Sequence, residues 1–271
     1  MSLGSASLTS LLAGPDGPIE YLTTGSGSPS TVFAHGLAGS IDTTRPFGSG
    51  VPGSRTFLHF RGHGASAAPE TPWTYAALAA ELRAVADTVG AAQALGVSMG
   101  AGALCHWLEQ EPARFERLVF VIPAVLDRPR EDVALERLVA MADRADERDV
   151  DGMTELLLLE QPEPVRADRA VRTWCRGQAT HLVGTPVSRA LRTLPHAVAM
   201  DDREALRGVR APALVLAQED DPAHPVSVAE QLAGLLPDAR LEVLPPGGLM
   251  WRHRATVRRL IGLFLTPSTA W

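Results

Sequence analysis

A chain of 271 residues, 45% hydrophobic and 21% charged, is long enough for one large domain with a sizeable core, or for such a domain carrying a modest insertion. Its net charge of −6, with no basic run to track phosphates, argues against a nucleic-acid partner, and no stretch of roughly 18 uninterrupted apolar residues marks a membrane span. The opening MSLGSASLTSLLAG has no charged leader ahead of a long apolar stretch, so the expectation is a soluble, cytoplasmic protein. All 25 basic residues are Arg, which together with abundant Ala, Gly and Pro suggests a GC-rich bacterial genome. Cys105 and Cys175 fall in helical patterns and read as buried thiols rather than a disulfide.

In chain order, residues 18–30 read as an antiparallel hairpin arm ending in a Gly/Ser turn. Short β-rich runs follow at 30–36, 54–60, 94–98, 117–122, 213–217 and 240–245, and most of them lead through a loop into a helical pattern. Residues 74–90 carry Leu78, Leu82, Val85 and Val89 at helical spacing, with Thr71 or Thr74 as the cap. This alternation predicts an α/β protein with a mainly parallel sheet flanked by helices. Between the runs at 117–122 and 213–217 lie about 90 residues without a strand, far beyond an ordinary connection. Amphipathic patterns at 130–149 and 150–161, then Pro- and Gly-broken helical segments, predict a helical cap over 128–205 inserted into a core made of 1–127 and 206–271. The run Leu156 to Leu159 reads as packing within that insertion.

The sharpest chemical signal is GVSMG, Gly96 to Gly100, between a strand and the helical AGALCHWLEQ. A serine at such a strand-to-helix turn projects its hydroxyl from a strained backbone, and flanking glycines remove side chains that would collide with neighbouring elements. Ser98 is the candidate nucleophile. No Gly-rich stretch has the setting of a phosphate loop and no His/Cys/Asp cluster has metal-ligand spacing, so neither cofactor nor metal is expected.

From about residue 17 to 265 the chain resembles the α/β-hydrolase family, in its esterase-like and haloperoxidase-like branch. AHGLAGS (34–40) resembles the family's His-Gly loop, which implies an oxyanion hole built from the backbone N–H groups of Leu37 and Met99, with His35 holding the loop by hydrogen bonds. FRGHGAS (60–66) resembles the family's Arg-Gly-His-Gly-x-Ser turn, a structural element in which His63 has no catalytic part. VLAQEDDPAHP (215–225) resembles the strand-end motif bearing the triad acid and selects Asp221, with Asp127 after the preceding strand as the other candidate; His224 reads as a rim residue of the pocket.

The family's general base normally stands in a Gly-rich loop after the last strand. Here that loop reads PPGGLM, and Leu249 occupies the histidine position. The nearby imidazole is His253, flanked by Arg252 and Arg254, which oppose its protonation. Two readings follow. In the first, the loop bulges, His253 joins Ser98 and Asp221, and the chain hydrolyses a small hydrophobic ester, thioester or lactone. In the second, the triad is degenerate, and the pocket binds a small molecule or uses the oxyanion hole alone. A cofactor-free haloperoxidase or perhydrolase activity would need the same triad. Trp73, Trp107, Trp174 and Trp251 with an apolar cap favour a hydrophobic ligand, whereas oligomeric state has no signature in the sequence.

Overall fold

The computed structural model describes residues 9–266. Eight strands form one sheet in the order β1-β2-β4-β3-β5-β6-β7-β8. They are β1 (Ser10–Gly14), β2 (Gly17–Thr24), β3 (Ser30–Ala34), β4 (Ser54–Leu58), β5 (Gln93–Val97), β6 (Arg117–Val121), β7 (Ala213–Gln218) and β8 (Ala239–Leu244). Strands β3 to β8 pair in parallel, while β2 runs antiparallel to both β1 and β4. The six β-rich runs each form a strand, and β2 is the hairpin arm. Its partner β1 has no counterpart in the sequence reading, because SLLAG is short, largely exposed and lacks alternation.

The parallel strands are apolar on both faces because both are covered. Along β6, Leu118 and Phe120 enter one core while Val119 and Val121 enter the other, and along β7 Ala213, Val215 and Ala217 alternate in the same way with Leu214 and Leu216. Helices α2 (Tyr75–Thr88), α3 (Met99–Gln110) and α8 (Val226–Leu235) fill the first face; the four-residue α1 (Ile41–Thr44) and α9 (Arg254–Phe264) fill the second. In α2, Leu78, Leu82 and Val85 are fully buried, and the Thr74 hydroxyl caps the helix by accepting from the Ala77 N–H at 3.2 Å. The two cysteines are free and buried.

Between β6 and β7 the chain leaves the sheet for α4 (Val133–Glu147), α5 (Val150–Leu159), α6 (Arg169–Leu182) and α7 (Val187–Thr193). These helices have their own apolar cluster, centred on Met141, Met153, Leu157, Val171, Cys175 and Leu191. Leu156 and Leu158 pack against it, while Leu159 is exposed. Among the described residues, no helix is long and apolar enough to cross a membrane.

Candidate active site

Loops at the carboxyl ends of β3, β5, β6, β7 and β8 converge on one cavity of about 560 Å3, where open parallel sheets bind their ligands. Ser98 stands between β5 and α3 with φ 48° and ψ −106°, a left-handed-side conformation that costs a non-glycine residue about 1–3 kcal/mol. The surroundings hold it there. Its N–H donates to the Val121 carbonyl at 2.9 Å, and its carbonyl accepts from the Gly102 N–H at 3.0 Å. The flanking glycines answer to space: a Cβ on Gly96 would lie 2.5 Å from the Gly100 carbonyl oxygen, and one on Gly100 would lie 2.4 Å from that of Ala34.

Leu37 and Met99 both line the cavity beside Ser98. Met99 is the first residue of α3, so its N–H lacks an intrahelical acceptor and the positive end of the helix dipole lies at the serine. The Leu37 N–H donates to no acceptor among the described residues. Its loop is pinned by a Gly39 N–H to Gly36 carbonyl bond of 2.9 Å, and by His35. The buried His35 ring donates from Nδ1 to the Gly36 carbonyl at 2.7 Å and accepts at Nε2 from the Phe60 N–H at 3.0 Å. Burial, with His63 and His59 nearby, holds its pKa well below the ordinary value and keeps the ring neutral, as both bonds require.

The imidazole at the serine is His224. Its Nε2 lies 2.9 Å from Ser98 Oγ, and its Nδ1 lies 2.9 Å from Asp221 Oδ1. Both come from the loop after β7, where the Asp221 carboxylate also accepts from the N–H groups of Ala223 at 2.9 Å and His224 at 3.0 Å, folding the four residues into a tight turn. Burial pushes the Asp221 carboxyl up, but the charge on His224, the bond from its ring and the two backbone N–H groups outweigh it, so Asp221 titrates below its usual value.

A family model described as the alpha/beta hydrolase fold matches residues 29–250. The chain belongs to the alpha/beta hydrolase fold family. Solved structures of this fold superpose over nearly the whole chain. An esterase from Exiguobacterium antarcticum is 19% identical with a TM-score of 0.76, covering 95% of this chain and 99% of its own. An enol-lactonase from Burkholderia xenovorans is 21% identical with a TM-score of 0.76, covering 95% and 100%. A meta-cleavage product hydrolase from Pseudomonas fluorescens is 17% identical with a TM-score of 0.79, covering 96% and 98%. No curated protein matches the sequence significantly.

Of the residues singled out in this alpha/beta hydrolase sequence, the fold brings Ser98, Asp221, Leu37 and Met99 to the cavity and leaves His253 out. His253 lies between the single π-turn Gly248–Arg252 and α9; its N–H donates to the Gly248 carbonyl, and its Nε2 lies 3.3 Å from the Pro246 carbonyl oxygen. The expectation that it reaches Ser98 is therefore corrected: the 248–252 turn packs Leu249, 6% exposed, into the core and cavity wall, and directs His253 back onto its own loop. Gly247 at φ 132° and Gly248 at φ 83° permit this path. Asp127 also stands apart, paired with Arg203 at 3.5 Å. His224, read from sequence as a rim residue, is the group that reasoning misplaced. Its signal was present in Asp-Pro-Ala-His, since an aspartate that caps its own turn returns the side chain three residues later to the carboxylate.

The cavity walls are mostly apolar, with Phe47, Val125 and Met250 on the core side and Leu138, Met141 and Trp174 from the inserted helices. Trp174 packs edge-on against Trp251 at 5.6 Å. Among the described residues, no group of three or more His, Cys, Asp or Glu side chains is placed to hold a metal ion.

Proposed function

We propose that this chain is a serine hydrolase acting on a small hydrophobic ester, thioester or lactone, with Ser98 as nucleophile, His224 as general base and Asp221 as the acid that orients it. The observation that carries this reading is the continuous chain of contacts from Asp221 through His224 to Ser98 Oγ, each 2.9 Å long. With Nδ1–H donated to Asp221, His224 Nε2 is an acceptor facing the serine hydroxyl. Ser98 Oγ attacks the acyl carbon as its proton passes to Nε2, and the oxyanion is met by the N–H groups of Leu37 and Met99. The imidazolium then protonates the departing oxygen or sulfur. Water, losing its proton to His224, attacks the acyl-serine, and the proton returns to Ser98 Oγ as the acid leaves.

The apolar walls and the paired tryptophans favour a hydrophobic acyl or alcohol group, and the helices of the insertion serve as a cap over it. Structural neighbours named as an esterase and an enol-lactonase are consistent with an ester-type bond. The binding-only alternative rests on the general-base histidine missing from its usual position, and the contact of His224 with Ser98 weighs against it.

Reaction with a fluorophosphonate tests the assignment without knowledge of the substrate. The wild type should label, Ser98→Ala should not, His224→Ala should label about 10²–10⁴-fold more slowly, and His253→Asn should label at the wild-type rate. A folded wild type that does not label, or a His224→Ala protein that keeps the wild-type rate, would sink the reading.

A further inference from the structure

The base sits on the turn after β7, and that turn is held from outside the sheet. Its N–H groups at Ala223 and His224 are satisfied internally by Asp221, which leaves the carbonyls of Pro222 and Ala223 to find donors elsewhere. Both donors are arginines of the segment inserted between β6 and β7. Arg137, on α4, donates from Nη2 to the Pro222 carbonyl at 2.9 Å. Arg130, just ahead of α4, donates from Nη2 to the Ala223 carbonyl. Neither side chain is free to swing: Arg137 also bonds Glu160 at the end of α5, and Arg130 lies 3.2 Å from Asp132, the residue that caps α4. Arg130 is 6% exposed and Arg137 16%, so both bonds are sheltered from water.

We propose that Arg130 and Arg137 are positioning residues that clamp the Asp221–His224 turn and hold His224 Nε2 on Ser98, making α4 and α5 part of the active-site assembly. The inference rests on the assignment of His224 as base. Its physical basis is leverage. A backbone shift of about an ångström at the turn would break hydrogen-bond contact between Nε2 and Oγ, and misplacement on that scale costs about 10²-fold in rate. Two carbonyl anchors from charged donors restrain the face of the turn that Asp221 does not reach. The loop after β8 carries Leu249, and the restraint on the base comes from the insertion.

The test compares wild type with Arg130→Met/Arg137→Met, which keeps the apolar stems and removes the guanidinium groups. Fluorophosphonate labelling rate, melting temperature and the downfield proton resonance of His224 Nδ1 are read in each protein. The expected result is a folded double variant that labels about tenfold or more slowly, with the Nδ1 resonance lost or broadened. A folded double variant with wild-type labelling and an intact resonance would overturn the clamp. Should the double variant not fold, Arg137→Met alone is read: the expected result is labelling several-fold slower, and a wild-type rate in that folded protein overturns the proposal equally. Labelling of the wild type that is insensitive to His224→Ala would instead overturn the base assignment, so the two failures are distinguishable.

Discussion

Lowering the pH should attack this protein first at the histidines beneath the loop that carries Leu37. His63 is buried, its Nδ1 donates to the Arg61 carbonyl at 2.9 Å, its Nε2 has no partner among the described residues, and its ring lies 4.6 Å from that of His35. Burial, the largest cause, and the nearby His59 bring its pKa from 6.5 down to about 4, although its hydrogen-bond partners pull the other way. The folded state thus binds the proton less readily than the unfolded chain. Stability from this residue is fully present above pH 6.5 and is lost as the pH falls from there toward 4. At pH 5 nearly every unfolded chain carries the proton but only about a tenth of folded ones do, so the loss between pH 7 and pH 5 is about 2 kcal/mol for His63 alone. His35 adds to it, and its protonation would remove the acceptor for the Phe60 N–H that helps pin the Leu37 loop. Urea unfolding at the two pH values, on wild type and on His63→Asn, measures the effect. Asparagine keeps an N–H for the Arg61 carbonyl but cannot take up a proton. The variant should lose about 2 kcal/mol less than wild type over this interval; equal losses in the two proteins would refute the reasoning.

Two further outcomes follow from the packing. Gly100→Ala places a Cβ 2.4 Å from a backbone oxygen, so it should cost about 1–3 kcal/mol or more and slow fluorophosphonate labelling, whereas Gly177→Ala on α6, with nothing within 4 Å, should be neutral or slightly stabilising in the same thermal unfolding assay. Arg61→Met removes a cation that is 1% exposed and bonded to Glu81 at 2.7 Å and Asp16 at 2.8 Å, leaving the buried Glu81 without its counter-charge and with the backbone N–H of residue 61 as its remaining donor; equilibrium unfolding should show a loss of about 3–5 kcal/mol, and a loss below about 1 kcal/mol would mean that water reaches the site.

The sequence by itself determined the α/β class, six of the eight strands as β-rich runs, β2 as a hairpin arm, and the placing of Ser98 at a strand-to-helix turn. These signals are local. A strand buried on both faces must be apolar along its length, as β7 is, and the Ser98 turn requires glycines within two residues on either side because neighbouring backbone lies about 2.5 Å from where a Cβ would stand. Leu249, from the last loop, stands in the wall of the cavity. Only the tertiary structure decided which imidazole meets the serine. Ser98 and His224 are separated by 126 positions, and their contact depends on the relative register of β5 and β7, on the Asp221 turn folding back on itself, and on two arginines from the inserted segment. His253 lies close to the expected loop in sequence, yet a π-turn built on two left-handed glycines carries it away. A hydrogen bond is made or lost within an ångström, and spacing along a chain resolves position only to the nearest residue.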